Sequence, residues 1–223
     1  MRRPSLIMSL KEFYQKKSIS KLKTELKIKN KLDLPKLEKV VVTLGLSEAR
    51  FDKKATQERI ESLKKICGQK PLALRAKKAI SNFKIRQGQV IAYLSTLRGK
   101  RMYDFVDKLF NIVLPRMRDF RGIASYSFDK SGNLSLGIKE QIFFPEIKIE
   151  EVEKTHGLGI TIVTTAKDKK ESIVLMKALG AVIIEEKRKK EEEKLLSIEE
   201  MREKREVKSK EAINLSQEKK EEE

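Results

Sequence analysis

Beyond Ile184 the chain offers almost nothing that can be buried. Residues 185–223, EEKRKKEEEKLLSIEEMREKREVKSKEAINLSQEKKEEE, contain no glycine, proline or aromatic residue and few large apolar ones. Ordering a backbone costs roughly 1–2 kcal/mol per residue, and such a segment has too little apolar surface to offset that. A core must therefore come from residues 1–184, a length that suits one domain. The remainder reads as a charged, partly helical extension. Glu186 and Lys190, Glu200 and Lys204, and Glu206 and Lys210 stand one helical turn apart with the acid first, and Ser197 with Glu200 makes a capping-box pattern.

Charge divides at the same place. Lys and Arg number 51 against 33 Asp and Glu, a formal net of +18. The tail holds 12 of the former and 14 of the latter, so residues 1–184 carry +20 and the tail −2. An excess of that size constrains partners rather than fold: a polyanion first, an anionic membrane surface second. No apolar run approaches the roughly 20 residues of a spanning helix. The opening MRRPSLIMSLKEFYQKK has too short an apolar patch, too soon followed by charge, for a secretory signal. A cleavable organellar presequence stays open.

Within 1–184, helical and strand periodicities alternate. Leu6, Leu10, Phe13, Leu22 and Leu26 among lysines predict an amphipathic helix near residues 5–28. LEKVVVTLGL (37–46) predicts a buried strand closing at Gly45. Ile60, Leu63, Lys64 and Cys67 predict a helix over 52–67, stopped by Gly68. A short strand at 71–74 and a longer one at 90–97 follow. Gly99 turns into a helix over 102–118, with Phe105, Leu109, Ile112 and Val113 inward and Pro115 kinking or ending it. Residues 125–128 and 134–138, joined by DKSGN, predict a β-hairpin. ITIVTT (160–165) is a strand, and 169–179 a helix stopped by Gly180. The order predicts an α+β fold, a two-layer sandwich with helices on one side of a largely antiparallel sheet.

Catalytic patterns are missing. No GxxxxGK[ST], GxGxxG after a strand, or GxSxG occurs. The sole His156, in KTHGLG, has no second His or Cys to share a metal with, and reads as a loop residue. The lone Cys67 reads as a small buried apolar residue at a helix end. Asp104 and Asp107 lie on a charged helix face. These observations point away from an enzyme, a cofactor or a metal.

Binding signals are present instead. RAKKAISNFKIRQGQ (75–89) gathers five cations around an Asn-Phe pair without one acid. Ala76, Ala79, Ile80 and Phe83 would suit an amphipathic helix that turns its lysines to water. The missing acids, the Ser-Asn interruption and Gly88 favour a mobile basic loop with Phe83 near its tip. Cations interleaved with an aromatic suit RNA, which offers phosphates to the one and a base or ribose to the other. Two further basic clusters follow, LRGKR at 97–101 and PRMRDFRG at 115–122.

These clusters fall within six words that come in order: GQKP (68–71), RAKKAISNFKIRQG (75–88), TLRGKRMYDF (96–105), LPRMRDFRGI (114–123), SGNLSLGIKEQIFFPEI (131–147) and ITIVTTAK (160–167). Together they resemble the large-subunit ribosomal protein L-five family, in its bacterial form, over about residues 10–180. The resemblance implies an antiparallel sheet with helices on one side, and a non-enzymatic constituent of the large ribosomal subunit. It implies binding to 5S ribosomal RNA (5S rRNA) in the central protuberance. Implied partners are also 23S-type rRNA, P-site transfer RNA (tRNA) and neighbouring ribosomal proteins, a small-subunit head protein among them, with no membrane. By matching positions, 5S rRNA falls to Thr43, Gln69, Thr96, Arg98 and Arg101. Where the family has VVNMGVG this chain has VVTLGLS, so Thr43 stands in place of an Asn. The tRNA-facing loop would comprise Arg75, Lys77, Lys78, Asn82, Phe83, Lys84 and Arg86. The implied location is a cytoplasmic ribosome, with an organellar one the open alternative. A free-standing RNA-binding or chaperone module on the same fold is the second reading. The tail lies outside the family pattern.

Overall fold

Every second residue of strand β1 (Leu37–Gly45) from Val40 onward is apolar and buried, which turns one face of this strand to the core. Its neighbours are β3 (Val90–Leu97) and β6 (Leu158–Thr164), with β2 (Leu72–Arg75) and β5 (Leu134–Ile138) at the edges. The order is β2–β3–β1–β6–β5, and every pairing is antiparallel. The structure is a computed structural model and describes residues 10–14, 18–28, 30–47, 51–118, 120–148, 150, 152 and 154–184. It divides into two units, 1–183 and 184–223. The helical pairs and capping box expected in the tail, and Leu6, lie outside the described residues.

Register puts the large side chains on one face. Val40 pairs with Leu97 and Ile162, Val42 with Ser95 and Ile160, and Leu134 with Ile162. Against this face pack α1 (Leu10–Phe13), α2 (Ile19–Leu26), α3 (Lys53–Cys67), α4 (Gly99–Lys108) and α6 (Lys169–Leu179). Leu22, Leu63, Val106, Leu109 and Leu175 are wholly buried there. Each such side chain contributes about 1.5–3 kcal/mol relative to exposure. Lys108 fastens the layers. Its ammonium donates to Ile66 O at 2.9 Å, pairs with Glu146, and lies 5.5 Å and 5.7 Å from the ring centres of Phe105 and Phe144.

Expected helix ends match their chemistry. The Asp52 carboxylate accepts from Lys54 N at 2.9 Å to open α3, and Gly68 closes it at φ 62°. Other boundaries differ. The helix expected from 102 begins at Gly99, so the LRGKR cations straddle its first turn. Before Pro115 it widens into a π-turn over Leu109–Val113, with Leu114 N bonded to Leu109 O, and it ends at Arg116 in α5 (Leu114–Arg116). A proline lacks the N–H of an ordinary turn, and the wider turn accommodates that loss. The N-terminal helix is found as α1 and α2, separated by residues outside the description.

The hairpin expected at 125–138 is only half formed. Residues 125–127 make a 3-10 turn, and Phe128 meets Leu134 in one isolated bridge. Strand β5 takes β6 as its partner instead. The DKSGN turn is held by Asp129, whose carboxylate accepts from Asn133 N and Nδ2, and by Thr164 Oγ1 donating to Gly132 O at 2.9 Å. Residues before the turn form β4 (Ile123–Ala124), which pairs with β7 (Ile183–Ile184).

Candidate nucleic-acid interface

The sheet's second face is made largely of small and hydroxylated residues. Thr43 pairs with Leu94 and Gly159, Val41 with Thr96 and Thr161, Ser135 with Thr161, and Gly137 with Gly159. All share the face opposite the core. Added side chains at Gly45 and Gly137 would meet no atom within 4 Å at their Cβ positions. The backbone is therefore open to close approach at these two positions.

Three of the residues expected to bind RNA lie close together on this face. Thr43 and Thr96 are diagonal neighbours, a relationship that spans about 7–8 Å. Gln69 follows the left-handed Gly68 that ends α3, and its Nε2 donates to Thr96 O at 3.3 Å. Thr43 Oγ1 donates to Gly159 O at 3.1 Å. Its lone pairs remain to accept, whereas a primary amide would present donor and acceptor together. Gly159 is what permits that rotamer, because a Cβ there would lie 2.5 Å from Thr43 Oγ1. Arg98 and Arg101 flank the start of α4, both exposed, with Arg98 3.7 Å from Glu38. An exposed pair of this kind is worth about 0–1 kcal/mol and is readily exchanged for a phosphate.

The RAKKAISNFKIRQGQ segment is a hairpin extension between β2 and β3 and not the amphipathic helix its apolar spacing would also allow. Ala76 N donates to Gln89 O and Gly88 N to Ala76 O, and Ile80 and Ile85 exchange both backbone bonds at 3.0 Å and 3.1 Å. Ser81–Phe83 form a 3-10 turn closed by Lys84 at φ 52°. Phe83 is 64% exposed. Arg75, Lys77, Lys78, Asn82, Lys84 and Arg86 are exposed as well. Among the described residues, none of the five cations pairs with a carboxylate. Their charge is thus uncompensated within the described fold.

The reactive groups are disarmed. Burial pushes the Cys67 thiol up to about 11, so it stays protonated at neutral pH. His156 lies in a loop as expected, yet it is buried. Burial first, and the Arg59 guanidinium second, hold its pKa down to about 4. Gln141 fixes that loop by donating to Lys154 O and accepting from His156 N. Among the described residues no cluster of His, Cys, Asp or Glu could hold a metal, and no helix is long and apolar enough to cross a membrane.

The row Ser135, Gly137, Gly159 and Thr161 belongs to no expected site. Its one signal in the sequence is the alternation of large and small residues in LSLGI and LGITIVT. What fold and surface define together is a basic two-layer α+β protein with an open sheet face and a cationic hairpin.

Comparison with known proteins narrows this class. Residues 30–86 match the family described as ribosomal protein L5, and residues 90–202 match the C-terminus of the same ribosomal family. A large ribosomal subunit protein uL5 from a Thermoanaerobacter species is 49% identical over 171 residues, covering 77% of this chain and 96% of its own. The uL5 of an Anaeromyxobacter species is 50% identical over 171 residues, with 77% and 95% covered. That of Trichodesmium erythraeum is 48% identical over 172, with 77% and 95% covered. The chain belongs to the ribosomal protein L5 family, a structural and non-enzymatic one with rRNA binding as a general property.

Proposed function

We propose that this chain, a structural constituent of the large ribosomal subunit by family, holds 5S rRNA on its open sheet face and meets the P-site tRNA with its basic hairpin. Its setting is the cytoplasmic ribosome, as for its bacterial relatives. The observation that carries the reading is the convergence of Thr43, Gln69 and Thr96 on a face of mostly small side chains, beside Arg98 and Arg101. Hydroxyls and an amide can bond to sugar and phosphate oxygens, the small residues admit the backbone, and the arginines supply the counter-charge. Further rRNA of the 23S type and neighbouring proteins, including one of the small-subunit head, complete its surroundings.

The hairpin serves a separate contact. It projects beyond the paired region of β2 and β3, so its cations reach a ligand that the open face does not. A filter-binding and reconstitution series tests both halves. Gln69→Ala should weaken 5S rRNA binding by about 1–2 kcal/mol with little loss of stability. Joint replacement of Lys77, Lys78 and Lys84 by Ala should leave 5S rRNA binding nearly unchanged and lower P-site occupancy. Because Phe83 is exposed, Phe83→Ala should shift stability by no more than about 0.5 kcal/mol and add to the tRNA defect. Normal P-site occupancy in the triple variant would assign the hairpin to another ligand. Unchanged 5S rRNA affinity in Gln69→Ala would remove that residue from the interface.

A further inference from the structure

Phe51 stands apart from the family words and yet faces the basic hairpin. It is 63% exposed, immediately before the Asp52 cap that opens α3. The bond from Lys54 N to the Asp52 carboxylate fixes the backbone there. Between the Phe51 ring and the hairpin lies a cleft of about 660 Å³, lined by Phe51, Ser81, Lys84, Ile85, Arg86 and Gln89. Small-molecule sites commonly occupy about 300–1,000 Å³.

Among the described residues, the lining holds two cations, an aromatic ring and two polar side chains. The cationic wall is held in shape: Lys84 N donates to Ser81 O at 2.8 Å, and the Gln89 side-chain oxygen accepts from Arg86 N at 3.1 Å. An exposed ring opposite two cations matches a ligand that joins a flat aromatic group to a nearby negative charge. A nucleotide has that form, provided that its base is not already stacked within a helix.

We propose that this cleft receives one unpaired nucleotide of the RNA that the hairpin meets, its base against Phe51 and its phosphate on Lys84 and Arg86. The inference rests on the hairpin being an RNA contact, and it adds a second aromatic platform to the one at Phe83. It also makes the contact selective, since a fully paired helix can offer its phosphates to the lysines but no base to the ring.

The test uses the full chain and two fluorescent RNAs of equal length, a stem-loop with unpaired loop nucleotides and a fully paired duplex. The parent protein should bind the stem-loop more tightly. Phe51→Ala should weaken the stem-loop by about tenfold and leave the duplex unchanged, and Phe51→Trp should restore the preference. Thermal melts confirm that the exposed substitution leaves the fold intact. The cleft proposal is overturned if the parent shows no preference, or if Phe51→Ala binds both RNAs as the parent does or weakens both equally. An acidic peptide that displaces the stem-loop from the parent but not from Phe51→Ala would also overturn it, by making the occupant a protein. The Lys77, Lys78 and Lys84 variant separates the two claims. Weakened binding of both RNAs there, with Phe51→Ala silent, sinks the cleft alone, whereas no effect in either variant sinks the hairpin reading as well.

Discussion

Burial keeps the single histidine neutral far below the pH at which a free imidazole takes up its proton. His156 titrates near 4 in the fold against 6.5 for the ordinary side chain. Above about 6.5 both folded and unfolded chains are neutral there, and the full stability is present. Between 6.5 and 4 the unfolded chain binds a proton that the folded one refuses, so stability falls as pH falls, by up to about 1.4 kcal/mol per pH unit. Urea melts of His156→Leu between neutrality and about pH 5 should show a shallower loss than the parent, and parallel curves would contradict the assignment. KTHGLG marks a loop but holds no hint of burial, because Gln141, which fixes His156, belongs to a different word 15 positions earlier. Lys84 makes the opposite case. Its φ of 52° costs a non-glycine residue roughly 1–2 kcal/mol, which tip closure maintains. Lys84→Gly relieves that strain but adds about 0.5–1 kcal/mol of chain entropy to the unfolded state. Stability should therefore rise by no more than about 1.5 kcal/mol, while tRNA binding weakens. A large melting shift with normal binding would make the tip a structural device only.

At the scale of elements, periodicity with a stop signal is what the sequence makes legible. Strand β1 alternates and ends at Gly45, while α3 and α6 finish at Gly68 and Gly180, both left-handed. Pairing is harder to read. LSLGI announces a strand but not whether its partner precedes it or lies in LGITIVT, and the longer, more apolar β6 took it. The residues proposed to face RNA divide in the same way. Thr43 and Thr96 are reachable from strand words, but that they share a face with Gly137 and Gly159 depends on register across four strands. Register also supplies a direct test of the open face. Neither Gly45 nor Gly137 has a positive φ, and an added Cβ at either meets nothing within 4 Å. Gly45→Tyr and Gly137→Tyr should therefore fold with melting temperatures near the parent's. Each should weaken 5S rRNA binding by more than about tenfold, because a ring would stand where the RNA backbone must approach. Retained affinity would move the 5S rRNA contact off this face.

For the whole molecule, charge and the capacity for burial both change at the same residue. Residues 1–184 carry +20 and the remaining 39 residues −2, so the positive field that a polyanion feels comes from residues 1–184. Relatives align over 171 residues, close to their own full length, while the C-terminal family match runs on to residue 202. If about six phosphates are neutralised on binding 5S rRNA, log K should fall against log salt with a slope of about −4 to −5. We propose that residues 185–223 form a separate extension with no share in that contact. Truncation after Glu186 should then leave both affinity and slope unchanged, since the segment removed is close to neutral and has no aromatic ring on which a base could stack. Titrations of full and truncated chains at several salt concentrations read both quantities at once. A tenfold loss of affinity at constant slope would reveal an uncharged contribution from the tail. A shallower slope would show that its basic residues reach phosphate despite their acidic neighbours, and either result would shift the functional boundary beyond residue 184.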